Sequence, residues 1–343
     1  MRKIIIITIL SVFIIIGAGC WNTSNQTTNP PNPPTDSQEP DWQLVNLTGV
    51  IKEITSDQSE LILTLVDQSE EIIDISQNVS LTSSVGELVK IEGKRDPSTR
   101  IIVADNITET SEQNIVVLSP KSGSIISSPL IVEGFARVFE NTVNWRIKNN
   151  RDQEVASGVD LSLAKEAGYF GPFRLEIFLP PLSHQDFILE VLTFSARDGS
   201  AQDIVSIPLR LVSLETSSFN VFFPNQRLTT QNQDVCTTVF PVNREIAQTS
   251  AIARAALVEL LKGPTPSEQN SGYTTSIPLY SFLKSISIQN GVATVDFSQD
   301  LSNTAGSCNI ASIETQIEKT LLQFSSVQEV RLLVEGQENM LNP

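Results

Sequence analysis

The sequence predicts a multidomain chain, all-β in its first two thirds and α+β in its last third. Three observations carry this. Between residues 42 and 212 the apolar residues fall in short runs separated by Gly, Pro, Asn and Ser, the pattern of successive strands and turns. Beyond residue 250 two stretches switch to helical spacing. A chain of 343 residues with 40% apolar residues is long enough, and apolar enough, for two or three cores.

The first element is an address. Arg2 and Lys3 precede a nearly unbroken apolar run over 4–16, the length of a signal-peptide h-region and short of the ~20 residues that span a bilayer. Gly17, Ala18 and Gly19 then lead into Cys20. This arrangement resembles the lipobox of bacterial lipoproteins, although Gly17 stands where that motif has Leu. The resemblance implies a signal peptide over 1–19, acylation of the Cys20 thiol and anchoring to a membrane. An uncleaved signal anchor and an ordinary secreted protein are the alternatives, and all three put the remainder outside the cytoplasm. Residues 20–41 turn abruptly to Asn, Thr, Gln, Ser and Pro without apolar periodicity, which is the composition of an extended tether.

Residues 42–110 carry five expected strands, at 47–54, 61–66, 71–75, 88–92 and 101–107, with Gly49, Gly86 and Gly93 at bends. The run from Val85 to Gly93, with Thr48-Gly49-Val50-Ile51 opening the first strand, resembles an OB-fold. That fold often binds oligonucleotides or sugars. A nucleic-acid OB-fold needs a positive groove and stacking aromatics. Here Lys52, Lys90, Lys94, Arg95 and Arg100 are outnumbered by carboxylates, and no aromatic residue lies between Gln43 and Thr110. A structural or protein-contacting barrel is the reading that remains.

Residues 114–212 are expected to be a β-sandwich of immunoglobulin-like type. Strands are expected at 115–118, 130–138, 143–148, 173–178, 187–196 and 204–212. Phe173, Leu175 and Ile177 alternate, as do Phe187, Leu189 and Val191, and Trp145 is a candidate core residue. No cysteine pair staples this segment. The stretch from Ser128-Pro129 through Glu133-Gly134-Phe135-Ala136 to Phe139-Glu140, with Ser195, Asp198 and Gly199 near the end, resembles the second Gmad type. That is the immunoglobulin-like domain found beside bacterial spore-germination modules. The resemblance implies an extracytoplasmic binding or spacer module without catalytic residues.

Residues 218–343 are expected to run strand, helix, strand, strand, helix, strand, a split βαβ with both helices on one sheet face. The strands are placed at 219–223, 283–288, 292–297 and 330–334. The first helix covers 250–261, capped by Thr249 or Ser250 and stopped by Gly263-Pro264. Ile310, Ile313, Ile317, Leu321 and Phe324 mark the second helix, and Asn290-Gly291 signals a two-residue hairpin. This segment resembles the GerMN domain of sporulation and spore germination. The matching pieces are Val221-Phe222-Phe223-Pro224, Pro241-Val242-Asn243-Arg244, Leu261-Lys262-Gly263-Pro264-Thr265, Gly291 through Ser298, and Val330 to Gly336. Partner binding or assembly is what the resemblance implies.

Cys236 and Cys308 are an even pair outside the cytoplasm, a disulfide candidate, with buried thiols or a metal pair as alternatives. Zinc wants about four ligands, and the sole histidine, His184, lies in another domain. His184 in its Pro-rich loop is a poor general base. Asp296 with Asp300, and Glu314 with Glu318, have carboxylate-pair spacing, but an acidic chain supplies such pairs by chance. Arg244 and Arg254 are candidate partner contacts, or else pair with Glu245 or Glu259. The net charge of −16 argues against nucleic acid. No cofactor is expected. The resulting expectation is a non-catalytic surface lipoprotein that scaffolds other envelope proteins. A peptidoglycan or small-ligand binder is the alternative, and a wall hydrolase a weaker one.

Overall fold

The computed structural model describes residues 42–76, 81–110 and 113–338. The expected signal peptide, Cys20 and the tether to residue 41 lie outside the described residues, as do residues 339–343.

The first region is a closed five-stranded barrel of β1 (Gln43–Ile54), β2 (Glu60–Thr64), β3 (Glu70–Asp74), β4 (Leu88–Arg95) and β5 (Ile102–Glu109). Its strand order is β1-β2-β3-β5-β4, with β4 pairing back to β1. β1 is long enough to serve two neighbours. It pairs with β4 from Gln43 to Val50 and with β2 from Val50 to Ile54, bending at a register shift between Ile51 and Glu53. Alternation sends Leu61, Leu63, Ile73, Val89, Ile91 and Ile102 into the centre, where all are fully buried. Gly93 is required by the tight β4–β5 approach, since a Cβ there would lie 2.3 Å from the Val103 carbonyl oxygen.

The second region has two sheets on one core. Its strands are β6 (Ile115–Ser119), β7 (Ile125–Ile126), β8 (Leu130–Ala136), β9 (Thr142–Lys148), β10 (Glu154–Leu161), β11 (Gly171–Ile177), β12 (Asp186–Phe194) and β13 (Ala201–Leu211). One sheet runs β10-β9-β12-β13-β7 and the other β11-β8-β6. Leu130 and Val132 from β8, Phe173, Leu175 and Ile177 from β11, and Phe187, Leu189 and Val191 from β12 meet in the core, and Trp145 packs at its edge. β7 and β10 add to the expected strands. β10 is an edge strand whose Val155, Val159 and Leu161 face solvent, so its alternation does not mark a buried face.

The third region contains β14 (Thr216–Phe223), β15 (Phe240–Ala247), α1 (Ile252–Leu261), α2 (Pro266–Asn270), β16 (Leu283–Gln289), β17 (Val292–Phe297), α3 (Ser307–Leu322), β18 (Glu329–Val334) and β19 (Gln337–Glu338). The expected single sheet is two. β14 pairs antiparallel with β15, and β16-β17-β18-β19 form a separate sheet. β15 takes the hydrogen-bonding edge that a single sheet would have offered to another strand. α1 and α3 pack on each other and on β14, and α3 also covers β18. β17, α3 and β18 form a parallel crossover unit. The Asn290-Gly291 turn has φ of 51° and 84°, the two positive values that a tight hairpin requires. α1 starts one residue later than its expected caps allow. Ala251 is at the cap position without a side-chain bond, while the Thr249 hydroxyl accepts from the Ala251 amide at 3.1 Å.

Candidate functional site

The residues singled out for chemistry do not converge. His184 is exposed and its Nδ1 lies 3.0 Å from the neighbouring Ser183 hydroxyl. Asp296 accepts from the Gly336 amide and pins the turn between β18 and β19, and Asp300 accepts from the Asn303 side chain within its own turn. Glu314 and Glu318 lie on the exposed face of α3. The Glu314 carboxyl is raised above its ordinary range by burial and by the neighbouring Glu318 charge. Among the described residues no three His, Cys, Asp or Glu side chains are grouped to hold a metal.

Cys236 and Cys308 are joined by a disulfide, 72 residues apart in sequence. It ties the long connection between β14 and β15 to the first turn of α3. Arg244 makes a bidentate pair with Glu268 (2.6 and 2.8 Å) and lies 3.8 Å from Glu259. Its guanidinium holds the Glu268 carboxyl below the usual carboxylate range, against the opposing effect of burial and with help from the Thr265 amide. Arg254 reaches out of its own region to Glu176 of β11, at 2.6 and 2.7 Å. Both guanidinium groups are thus ion-paired inside the chain, Arg244 with Glu268 and at longer range with the expected Glu259, and Arg254 with Glu176.

What the structure builds instead is two packed junctions. At the first, Val50 and Leu88 of the barrel form one buried cluster with Phe135 and Phe170 of the two-sheet region. The Phe170 amide donates to the Gly86 carbonyl (2.9 Å). Tyr169 lies so close over Gly86 (φ 89°) that a Cβ there would meet its ring at 2.3 Å. Arg137 sits 4.7 Å over the Phe170 ring and pairs with Glu87 at 3.3 Å. At the second junction adjacent residues face opposite cores. Leu179 and Ala247 are buried in the two-sheet core, Phe178 and Ile246 in the core of the third region, and the Ala247 amide donates to the Leu179 carbonyl at 2.8 Å. Sequence reasoning missed both junctions. Phe178 was expected only as the last residue of a strand, Phe170 was not singled out, and contacts between regions leave no periodic signal.

Two surface features remain. A groove of about 650 Å³ lies between residues 137–141 and 164–168, with the exposed Phe139 ring at its wall. In the third region Leu279, Tyr280 and Phe282 form an exposed apolar turn.

Comparison with known protein families gives two matches. Residues 114–200 match the family described as the immunoglobulin-like domain of bacterial spore germination (Gmad2), and residues 220–339 the family described as sporulation and spore germination (Germane). The chain carries a Gmad2 domain followed by a Germane domain. Neither match reaches the barrel. The first GerMN domain of the sporulation protein GerM from Bacillus subtilis is similar at 22% identity. That match covers 36% of this chain and 85% of that one, with a TM-score of 0.29. The tandem GerMN domains of the same protein match at 22% identity over 36% and 41% of the two chains, also at 0.29. A putative lipoprotein from Clostridium perfringens matches at 18% identity over 36% and 78%, with a TM-score of 0.23. No curated protein matches the chain. No helix among the described residues is long and apolar enough to cross a membrane.

Proposed function

We propose that this protein is a non-catalytic envelope scaffold, held outside the cytoplasm by an acylated Cys20, whose folded modules bind other envelope proteins. The observation that carries this reading is the Gmad2–Germane pair packed through a shared junction. Two domains associated with spore germination are joined so that a partner held by one is positioned relative to the other. The barrel's β1-β2-β3-β5-β4 order supports an OB-like fold used here as a structural or protein-contacting module. The domain limits that follow are 42–110, 114–212 and 218–343. An excess of 39 acidic over 23 basic residues disfavours nucleic acid as a partner.

The test is in vivo crosslinking of the tagged protein together with metabolic labelling by an alkyne fatty acid. The expected outcome is label lost on Cys20→Ser, and recurrent crosslinks to a small set of envelope proteins. Recovery of the protein without any partner would overturn the scaffold reading, and unchanged label in the Cys20→Ser variant would overturn the anchor. A second reading, binding of a wall glycan, is favoured by the groove beside Phe139, whose exposed ring offers a stacking face among Glu140, Asn141, Lys165 and Glu166. Co-sedimentation with purified peptidoglycan that is lost on Phe139→Ala would move the assignment to it.

A further inference from the structure

The long connection between β14 and β15 is fastened at its two ends, and between them by one covalent bond. At its start Asn225 is 1% exposed. Its side-chain oxygen accepts from the Arg227 and Leu228 amides at 2.9 and 3.2 Å, its side-chain nitrogen donates to the Ser271 carbonyl, and the Gln226 amide donates to the Gly272 carbonyl. At its end Phe240 enters β15 opposite Phe223. The segment 228–239 between these points contains no buried residue. Its hydrogen bonds stay local. The Thr229 amide and hydroxyl donate to the Asn225 carbonyl, the Thr230 amide donates to the Gln233 side chain, and Asp234 accepts from the Cys236 amide and the Thr237 hydroxyl. Among the described residues, no hydrogen bond of this segment reaches beyond residues 225–238. A segment with neither burial nor outside hydrogen bonds opens at little cost. What ties this one to the domain is the Cys236–Cys308 disulfide.

The bond is also open to solution. Cys308 is exposed, Cys236 is half-buried, and neither belongs to the core cluster of the domain. Structural disulfides outside the cytoplasm resist reduction, whereas exposed ones are the labile and regulatory ones. Opening this bond removes no core contact, because Phe219, Val221 and Phe223 meet Ile310, Ile313 and Ile317 without either sulfur. Its contribution to stability acts through the unfolded chain, which it constrains. The two sulfurs differ as leaving groups. Cys308 is the second residue of α3, a 16-residue helix whose cap residue Gly306 offers no side-chain acceptor to the first turn. That end of a helix favours negative charge. Asp234, whose carboxylate accepts from the Cys236 amide at 2.9 Å, disfavours charge on the other sulfur.

We propose that the Cys236–Cys308 bond is a thiol-exchange site opened by a dithiol reductant outside the cytoplasm, and that opening it releases the 228–239 strap from a Germane domain that stays folded. A thiolate of the reductant attacks Cys236 Sγ, the bond between the two Sγ atoms breaks, and Cys308 leaves as the thiolate. The second thiol of the reductant then attacks its own sulfur in the mixed disulfide and frees Cys236. Two electrons and two protons pass from the dithiol to the two cysteines, and the reductant is left as a disulfide. The reverse exchange closes the strap again. This site shares with the scaffold reading only the placement of the chain outside the cytoplasm.

The test treats the purified full-length protein, without denaturant, with dithiothreitol and with a small dithiol protein of the thioredoxin type. Free thiols are then alkylated, and Cys236 and Cys308 are quantified peptide by peptide, separately from Cys20. The expected result is that both become labelled, that cleavage by proteinase K within 228–239 rises at least tenfold, and that ellipticity at 222 nm is unchanged. The Cys236→Ser, Cys308→Ser variant should show the same cleavage without reductant. A dithiol protein with its second cysteine replaced should be trapped on Cys236. Rapid alkylation of intact cells should find a fraction of both cysteines as free thiols. A bond that stays closed until urea unfolds the domain would overturn the proposal. Unchanged cleavage after complete reduction would overturn the released strap, and loss of the 222 nm signal would make the bond a staple of the core. Trapping on Cys308 would overturn the order of attack. Full oxidation of both cysteines in cells would overturn the use of the site as a switch.

Discussion

Phe178→Ala separates the two germination-associated domains energetically. Phe178 follows β11 of the Gmad2 domain but is buried, 4% exposed, in the Germane core with Phe219, Ile246 and the helix residues. Truncating a buried Phe to Ala costs about 3–5 kcal/mol, through lost transfer energy and the cavity left behind. That loss falls on the Germane side, while the neighbouring Leu179 continues to fill the Gmad2 core. The aromatic and helical content of the chain allows the two sides to be followed separately. All three α-helices of the described chain are in the Germane domain, so ellipticity at 222 nm reports its unfolding. Trp145, at the edge of the Gmad2 core, reports the other side by fluorescence in a Trp21→Phe, Trp42→Phe background. With an m-value of about 2 kcal/mol/M in urea, a loss of about 4 kcal/mol moves the helical midpoint down by about 2 M. The Trp145 midpoint should move far less, so that two transitions coincident in the parent become resolved. Phe187→Ala, inside the Gmad2 core, should reverse the order of the two probes. Coincident and unmoved transitions in Phe178→Ala would refute the claim that the junction couples the domains.

Three further outcomes follow from the same structure. Reducing the Cys236–Cys308 disulfide, or replacing both residues by Ser, should destabilise the Germane domain by about 4 kcal/mol on the chain-entropy account for a closure of this length, read by urea titration with and without reductant. Glu268 titrates lower in the folded chain because of Arg244, so its stabilising contribution is complete above its unfolded pKa and is lost as pH falls through the carboxylate range towards the folded value. Glu268→Gln should cost about 1–2 kcal/mol at pH 7 and flatten the acid limb of the pH–stability curve, measured by thermal melts between pH 3 and 7. Gly86→Val at the barrel junction meets both a positive φ and the Tyr169 ring. It should expose the 86–88 segment to proteolysis while leaving the Trp145 signal of the Gmad2 core intact.

Much of this architecture was legible in residue order, and the parts that were not share a cause. The barrel strands, the Phe173 and Phe187 alternations, the Asn290-Gly291 hairpin and the Ile310–Leu321 helix face all carry a period set by one buried side. β10 and β15 do not. β10 turns Val159 and Leu161 to solvent at a sheet edge, and β15 interleaves Arg244 and Glu245 in a two-stranded sheet, beginning with Phe240-Pro241. Of the partners of Arg244 and Arg254, only Glu259, 3.8 Å from Arg244, was named from the sequence. Glu268 is 24 residues and Glu176 78 residues away, and such pairings are set by tertiary packing rather than by local spacing. The exposed turn at Tyr280 is the reverse case. Only the backbone angle shows that an aromatic residue occupies the position where glycine is ordinary.

The exchange at the second junction bears on where this chain can be cut. By sequence, residues 213–217 are a linker between two family domains. By packing, severing there leaves each piece with an unfilled place. The Gmad2 fragment would expose Phe178 and lose Ala247, and the Germane fragment would expose Ala247 and lose Phe178. The pair is therefore expected to fold as a single unit. A recombinant boundary that respects it must carry both halves of the exchange together; a cut near residue 112 does so, but uncovers Phe135 and Phe170 at the barrel junction.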